Sequence, residues 1–186
     1  IGPALEAMEA LNALMHPMDA SGDLVEKACY LAGVLFKMVR KGDRNRARKI
    51  LFSGKAEEKM REIIKAQGGD PSIKASDIEE CIKKRTKKYD IKSKKSGTIS
   101  YINNNKLSGI AKFAGAPKYK YSGLLLNKKL GQMVKKGEVL YTIYSETPVK
   151  LKAAVTFAKK NTGYVVSSKK RKTILEEINH SVKHIE

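Results

Sequence analysis

Lys95–Tyr144, KSGTISYINNNKLSGIAKFAGAPKYKYSGLLLNKKLGQMVKKGEVLYTIY, is the stretch around which the chain is organised. Gly97–Ile102 alternates with a period of two and is rich in β-branched residues, which predicts a half-buried strand. The run Asn103-Asn104-Asn105 breaks it, since Asn tolerates turn conformations. From Lys106 the apolar residues Leu107, Ile110, Ala111 and Ala114 fall at helical spacing, and Gly115-Ala116-Pro117 stops that helix. Leu124-Leu125-Leu126 and then Val134–Tyr144 read as β again, with glycine turns at Gly131 and Gly137 beside core-type Val134 and Leu140. These signals predict a small β-layered domain, not a catalytic cleft by itself.

Working outward, the N-terminal seventy residues are helical in pattern. Pro3 suits a first helical position, with Leu5, Met8, Leu11 and Met15 following on one face. Asp23 opens a second helix with Glu26 three residues later, and its apolar stripe is predicted as Leu24, Ala28, Leu31, Leu35 and Met38. Asp43 caps a third helix bearing Ala47, Ile50 and Leu51. A fourth runs from Lys55 through Ala56, Met60, Ile63 and Ile64 until Gly68-Gly69 and Pro71 end it. Four amphipathic helices on short connections suggest a bundle-like layer that is short of partners for its apolar stripes.

Residues 72–89 are polar, ending in Lys83-Lys84-Arg85-Thr86-Lys87-Lys88, and read as a basic linker or a short basic helix. Thr147-Pro148 starts a helix with Leu151, Ala154, Val155 and Ala158 inward. Gly163 ends it, and Tyr164-Val165-Val166 forms a further short strand. In the tail, basic Lys169–Lys172 precedes Ile174–Ile178, which could close the sheet. The expected class is α+β. A helical bundle-like segment over 1–70 and a basic linker over 71–89 lead into a small hammerhead, barrel-sandwich-like C-terminal α/β domain over 90–186.

The ordered blocks resemble one known family. Lys95–Pro117, Gly123 and the pattern Val134-x-x-Gly137-x-x-Leu140-x-x-Ile143 are similar to the C-terminal domain of the pyrimidine-nucleoside and thymidine phosphorylases, most of all their archaeal AMP phosphorylase branch. Upstream, Ile1-Gly2-Pro3-Ala4-Leu5-Glu6, Ser53-Gly54-Lys55-Ala56 and Ile63–Pro71 resemble family segments in the same order. The similarity thins after about Asn161, and with the start in mid-pattern at Ile1 it implies a C-terminal piece of a longer enzyme.

That resemblance implies a pentosyltransferase that cleaves an N-glycosidic bond with phosphate. The AMP phosphorylase branch gives a free base and ribose 1,5-bisphosphate. It implies nucleoside or nucleotide and phosphate as substrates of the full-length enzyme, no cofactor, and a homodimer or larger homo-oligomer. The family's phosphate loop, its Lys and Ser, its base-contacting residues and its proposed acid lie in segments preceding the Ile1-Gly2-Pro3 block. No catalytic, cofactor-binding or metal-binding residue is therefore assigned here. The piece alone is expected to be inactive, with a structural role in domain packing and assembly. A thymidine or pyrimidine-nucleoside phosphorylase is the nearest alternative.

Other constellations are weaker. Glu6 and Glu9 are helix acids without a His or second carboxylate in register. Ser53-Gly54-Lys55 fails as a phosphate loop, because Lys49 stands where a Gly is required and Ala56 follows the Lys. His180 and His184 stand four apart, but only Glu186 could complete a metal set. His16 beside Pro17 has no partner as a base. The hairpin also resembles biotin- and lipoyl-carrier domains, yet neither Met-Lys-Met nor Asp-Lys-Ala occurs.

Charge supplies the competing function class. The net charge is +19. Residues 1–70 hold 12 basic and 10 acidic side chains, whereas 71–186 hold 26 and 9. Such a surplus fits a basic nucleic-acid-binding module through counterion release. It equally fits a solvated Lys-rich surface, because Arg, the residue suited to bidentate phosphate contacts, is scarce. The latter is the reading adopted, so no specific nucleic acid is expected. Cys29 and Cys81 suggest neither a disulfide framework nor a zinc site. With no leader and no apolar run long enough to span a bilayer, a cytoplasmic setting without membrane partners is expected.

Overall fold

The computed structural model describes residues 1–167, and its elements follow the chain's own punctuation. The helices are α1 (Pro3–Met15), α2 (Gly22–Met38), α3 (Arg44–Phe52), α4 (Lys55–Ala66), α5 (Ala75–Arg85), α6 (Asn104–Ala114) and α7 (Pro148–Lys160). The strands are β1 (Lys87–Lys92), β2 (Gly97–Ile102), β3 (Gly123–Leu126), β4 (Met133–Val134), β5 (Val139–Ser145) and β6 (Tyr164–Ser167). They form two antiparallel three-stranded sheets, ordered β1-β5-β3 and β4-β2-β6. The class is α+β, and no closed barrel forms among the described residues. The Ile174–Ile178 segment and the basic Lys169–Lys172 cluster lie outside those residues.

Local chemistry explains the boundaries. Asp43 caps α3, its carboxylate accepting from the amides of Asn45 and Arg46. Thr147 does the same for α7 through the Lys150 amide. In α6 the outcome departs from the sequence reading. Asn103 ends the strand as expected, but its side-chain oxygen accepts from the Lys106 amide at 3.0 Å. It therefore acts as an N-cap, and the helix begins at Asn104 instead of Lys106. Gly115 closes the helix in the left-handed conformation, φ 119°, a geometry a side chain would strain.

The principal core lies between the two sheets and the α6–α7 pair. Ile99, Ile110, Ala114, Leu124, Tyr141, Ile143, Ala154 and Ala158 are all fully buried. Small residues on the facing sides of α6 and α7 (Ala111 and Ala114, Ala154 and Ala158) let the two helices approach closely. Phe113 and Phe157 meet beside them, ring centroids 4.9 Å apart. In β2 the pairing register shifts between Ile99 and Tyr101. This bulge turns Tyr101 to solvent and lets Ile102 pack on the core, which strict alternation does not predict.

One reading changes in the N-terminal half. The stripe expected to be buried on α2 faces solvent: Leu31, Leu35 and Met38 are 53%, 64% and 74% exposed. Val25, Cys29 and Gly33 are buried instead, against Ala47 and Leu51 of α3. Helix α2 is apolar on nearly every side, so periodicity alone offers two faces. The one carrying Cys29, Ala32 and Gly33 wins, because small side chains let α3 pack close. Glu26 then pairs with Arg44 and Arg48 across the helix pair. In 72–89 the helix alternative holds: α5 carries Lys83, Lys84 and Arg85 in its last turn and leads into β1. Asp77 accepts from the Lys74 amide at the start of α5, and Ile82 is buried.

A buried tyrosine pair gives the core a pH dependence. Tyr141 and Tyr164 stack with centroids 5.6 Å apart. Their hydroxyls donate to the carbonyls of Thr162 (3.0 Å) and Lys128 (2.8 Å). Burial pushes the Tyr164 phenol up to about 12, and burial followed by the Tyr164 charge pushes Tyr141 up as well. The neutral phenol is thus favoured in the folded state. That stability is complete below the ordinary value of 10.0 and is lost as pH climbs toward about 12. The stability advantage of the wild type over Tyr164→Phe is expected to shrink across this window in urea unfolding. A pH-independent difference would refute the assignment.

Candidate functional site

The first residues of the chain are bound into the edge of the C-terminal domain. The Ile1 N–H groups donate to the Leu124 carbonyl at 2.8 Å, and the Leu124 amide donates back to the Ile1 carbonyl at 2.7 Å. The Ala4 amide adds a bond to the Lys120 carbonyl. This strand-like pairing brings two glycines together. A Cβ on Gly123 would lie 2.0 Å from the Ile1 carbonyl oxygen, and one on Gly2 would lie 2.5 Å from that of Ser122. Both glycines have positive φ, so space and backbone conformation alike exclude a side chain. The N-terminal turn of α1 is thereby fixed to β3, and α1 packs on α5.

The candidate acids and bases fall where they do no joint work. The Glu6 carboxylate accepts from the Gly2 amide at 3.2 Å and so supports this seam. Glu9 and His16 are exposed, and His16 contributes its backbone to the end of α1. Ser53-Gly54-Lys55 is a left-handed turn between α3 and α4, the expected alternative to a phosphate loop. Cys29 and Cys81 are free, on α2 and α5. Among the described residues no group of three or more His, Cys, Asp and Glu side chains could hold a metal ion. His180, His184 and Glu186 lie outside those residues.

Lysines gather at the other end of the domain. Between β1, the turn that follows it and the end of α7 lies an open cleft of about 590 Å³, lined among others by Tyr89, Lys92, Lys94 and Lys159. A second depression of about 370 Å³ shares Lys92, Lys94 and Lys159 and adds Lys95 and Lys160. Asp90, the carboxylate in the lining, accepts from the Thr142 hydroxyl at 2.7 Å.

Comparison with known proteins identifies the domain. Residues 98–165 match the pyrimidine nucleoside phosphorylase C-terminal domain. The chain carries that C-terminal domain. It is 45% identical over 164 residues to the AMP phosphorylase of Pyrococcus abyssi, covering 86% of this chain and 32% of the relative. AMP phosphorylase 1 of Archaeoglobus fulgidus is 44% identical over 169 residues, 90% of this chain and 32% of the relative. For the AMP phosphorylase of Thermofilum pendens the identity is 42% over 182 residues, 97% and 34% respectively. The chain thus spans about a third of the length of these archaeal relatives.

The resemblance expected from the motifs, to the phosphorylase C-terminal domain and to archaeal AMP phosphorylases, is shown. Gly2 and Gly123 stand in the quoted motifs, but their contact across 121 positions is not legible there: each reads locally as an ordinary turn residue. The lysine cleft was legible only as surplus charge. Its members come from β1, the following turn and the end of α7, so no local motif marks it. Among the described residues no helix is long and apolar enough to cross a membrane.

Proposed function

We propose that this chain serves as the C-terminal third of a nucleotide phosphorylase that splits AMP with phosphate into adenine and ribose 1,5-bisphosphate. The observation that carries this reading is the 42–46% identity to AMP phosphorylases over most of the chain. Phosphorolysis of this kind needs an anion site of amide N–H groups and cations, and stabilisation of a developing oxocarbenium sugar. The residues described here assemble no such site. Their part is mechanical: the Gly2–Gly123 seam holds the α1 segment at a set angle on the C-terminal domain. We divide the chain into a helical end of the catalytic region (1–70), a connecting basic segment (71–89) and the C-terminal domain (90–186). The exposed face of α2 packs against the remainder of the longer polypeptide, and the whole enzyme is a homodimer or larger homo-oligomer.

Steady-state rates of a relative-length polypeptide carrying this chain, with AMP, CMP, UMP and thymidine in phosphate buffer, test the reading. AMP is expected to be the best substrate. Preference for thymidine would reassign the chain to the pyrimidine-nucleoside branch, and absence of any phosphate-dependent base release would overturn the proposal.

A further inference from the structure

We propose that the lysine cleft between β1 and α7 is a binding site for a ligand with two or three adjoining phosphate groups, of the kind a nucleoside di- or triphosphate carries. Lys92, Lys94 and Lys159 line it, and Lys95 and Lys160 line the adjoining depression that shares those three. None of the five is among the lysines that form an ion pair in the described residues. The carboxylate in the lining, Asp90, is engaged by the Thr142 hydroxyl, and the ammonium groups outnumber it, so a surplus of like charge remains that a polyanion relieves.

The geometry narrows the ligand. The last turn of α7 presents carbonyl oxygens that oppose an anion, and Lys159 and Lys160 sit in that turn and offset them. The attraction is therefore supplied by Lys92 and Lys94, with Lys95 in the adjoining depression, a spread of charge that suits two or three adjoining phosphates better than one. No arginine lines the cleft, so it offers point charges and not the planar fork that recognises carboxylates or base edges. Tyr89 lies in the same wall, half-exposed, with the Lys159 ammonium 5.2 Å from its ring centroid. A phosphate that draws Lys159 away leaves this ring face free for a base to stack on. The volume, about 590 Å³, lies within the range of small-molecule sites.

Calorimetric titration of the full 186-residue chain with ATP, AMP and a ten-nucleotide single-stranded RNA at about 150 mM salt tests this, the salt suppressing diffuse attraction. ATP is expected to bind one-to-one, and AMP about tenfold more weakly because it engages fewer ammonium groups. The double variant Lys92→Gln/Lys94→Gln should weaken ATP about fivefold or more, while Lys118→Gln/Lys120→Gln, the same charge loss on a distant turn, should leave it within about twofold. RNA that competes with ATP and shares this dependence on Lys92 and Lys94 would make a polynucleotide the source of the phosphates, with the site intact. Absence of saturable binding by ATP and RNA alike, or equal losses in both double variants, would overturn the proposal. These readouts do not involve phosphorolysis, so they stand or fall apart from the catalytic reading.

Discussion

Incubated with AMP and inorganic phosphate, the isolated 186-residue chain is expected to release no adenine above a phosphate-only control. The effect is a loss of all enzymic acceleration, commonly a factor of about a million or more. Departure of a purine base needs a proton donor or hydrogen bonds at its leaving nitrogen, and the attacking phosphate needs converging amides or cations within about 3 Å. Glu6 is spent on the Gly2 amide, while Glu9 and His16 stand exposed and apart. The Ser53-Gly54-Lys55 turn lacks the glycine spacing that points successive amides at a phosphate. The lysine cleft gathers cations, but its carboxylate, Asp90, is engaged by the Thr142 hydroxyl. Adenine release that depends on phosphate and survives Glu6→Gln and Lys92→Gln/Lys94→Gln would show a catalytic site elsewhere in these residues. The division of labour proposed above would then be abandoned.

The second large effect is a contrast in stability between the two halves. Ile110 is fully enclosed in a core cluster of fifteen buried residues. Truncating it to Ala should cost about 2–5 kcal/mol, a large part of the roughly 5–15 kcal/mol that holds an ordinary domain together. The α2–α3 pair has only Val25, Cys29 and Ala47 in its buried cluster. Outside it, Tyr30, Leu31, Val34, Leu35, Met38 and Val39 remain in water, each forfeiting part of the roughly 1.5–3 kcal/mol that full burial of a large apolar side chain provides. Hydrogen exchange in dilute solution is therefore expected to show strong protection across β2, α6, β5 and α7 and weak protection across α2–α4. Protection of α2 should rise with protein concentration, or when the rest of a relative-length polypeptide is present. Val25→Ala should abolish protection in α2 and α3 while leaving β5 protected. Equal and concentration-independent protection of both halves would show that the helices complete their own core.

Much of this was legible from residues alone. Gly115 after Ala114, Asp43 before Arg44, and Thr147-Pro148 mark element ends by chemistry that acts within one turn of chain, and the elements end there. The alternating and β-branched stretches became β2, β3, β5 and β6, and the ordered motifs pointed to the phosphorylase C-terminal domain that residues 98–165 match. Asn103 was half-read: a strand-breaking residue in sequence, and in the structure also a cap, because its side chain finds the Lys106 amide.

Sequence by itself determined what depends on near neighbours: the caps at Asp43 and Thr147, turn glycines, the period of each amphipathic segment and the uneven charge. Tertiary structure alone decided which face of α2 is buried, since a helix apolar on both sides takes its inside from the partner that fits. It set the β2 bulge that swaps Tyr101 and Ile102, and the partnership of Gly2 with Gly123. It also collected Lys92, Lys94 and Lys159 around one cleft. Each of these rests on contacts between residues far apart in the chain, where close packing and unscreened charge choose among alternatives that local sequence leaves equal.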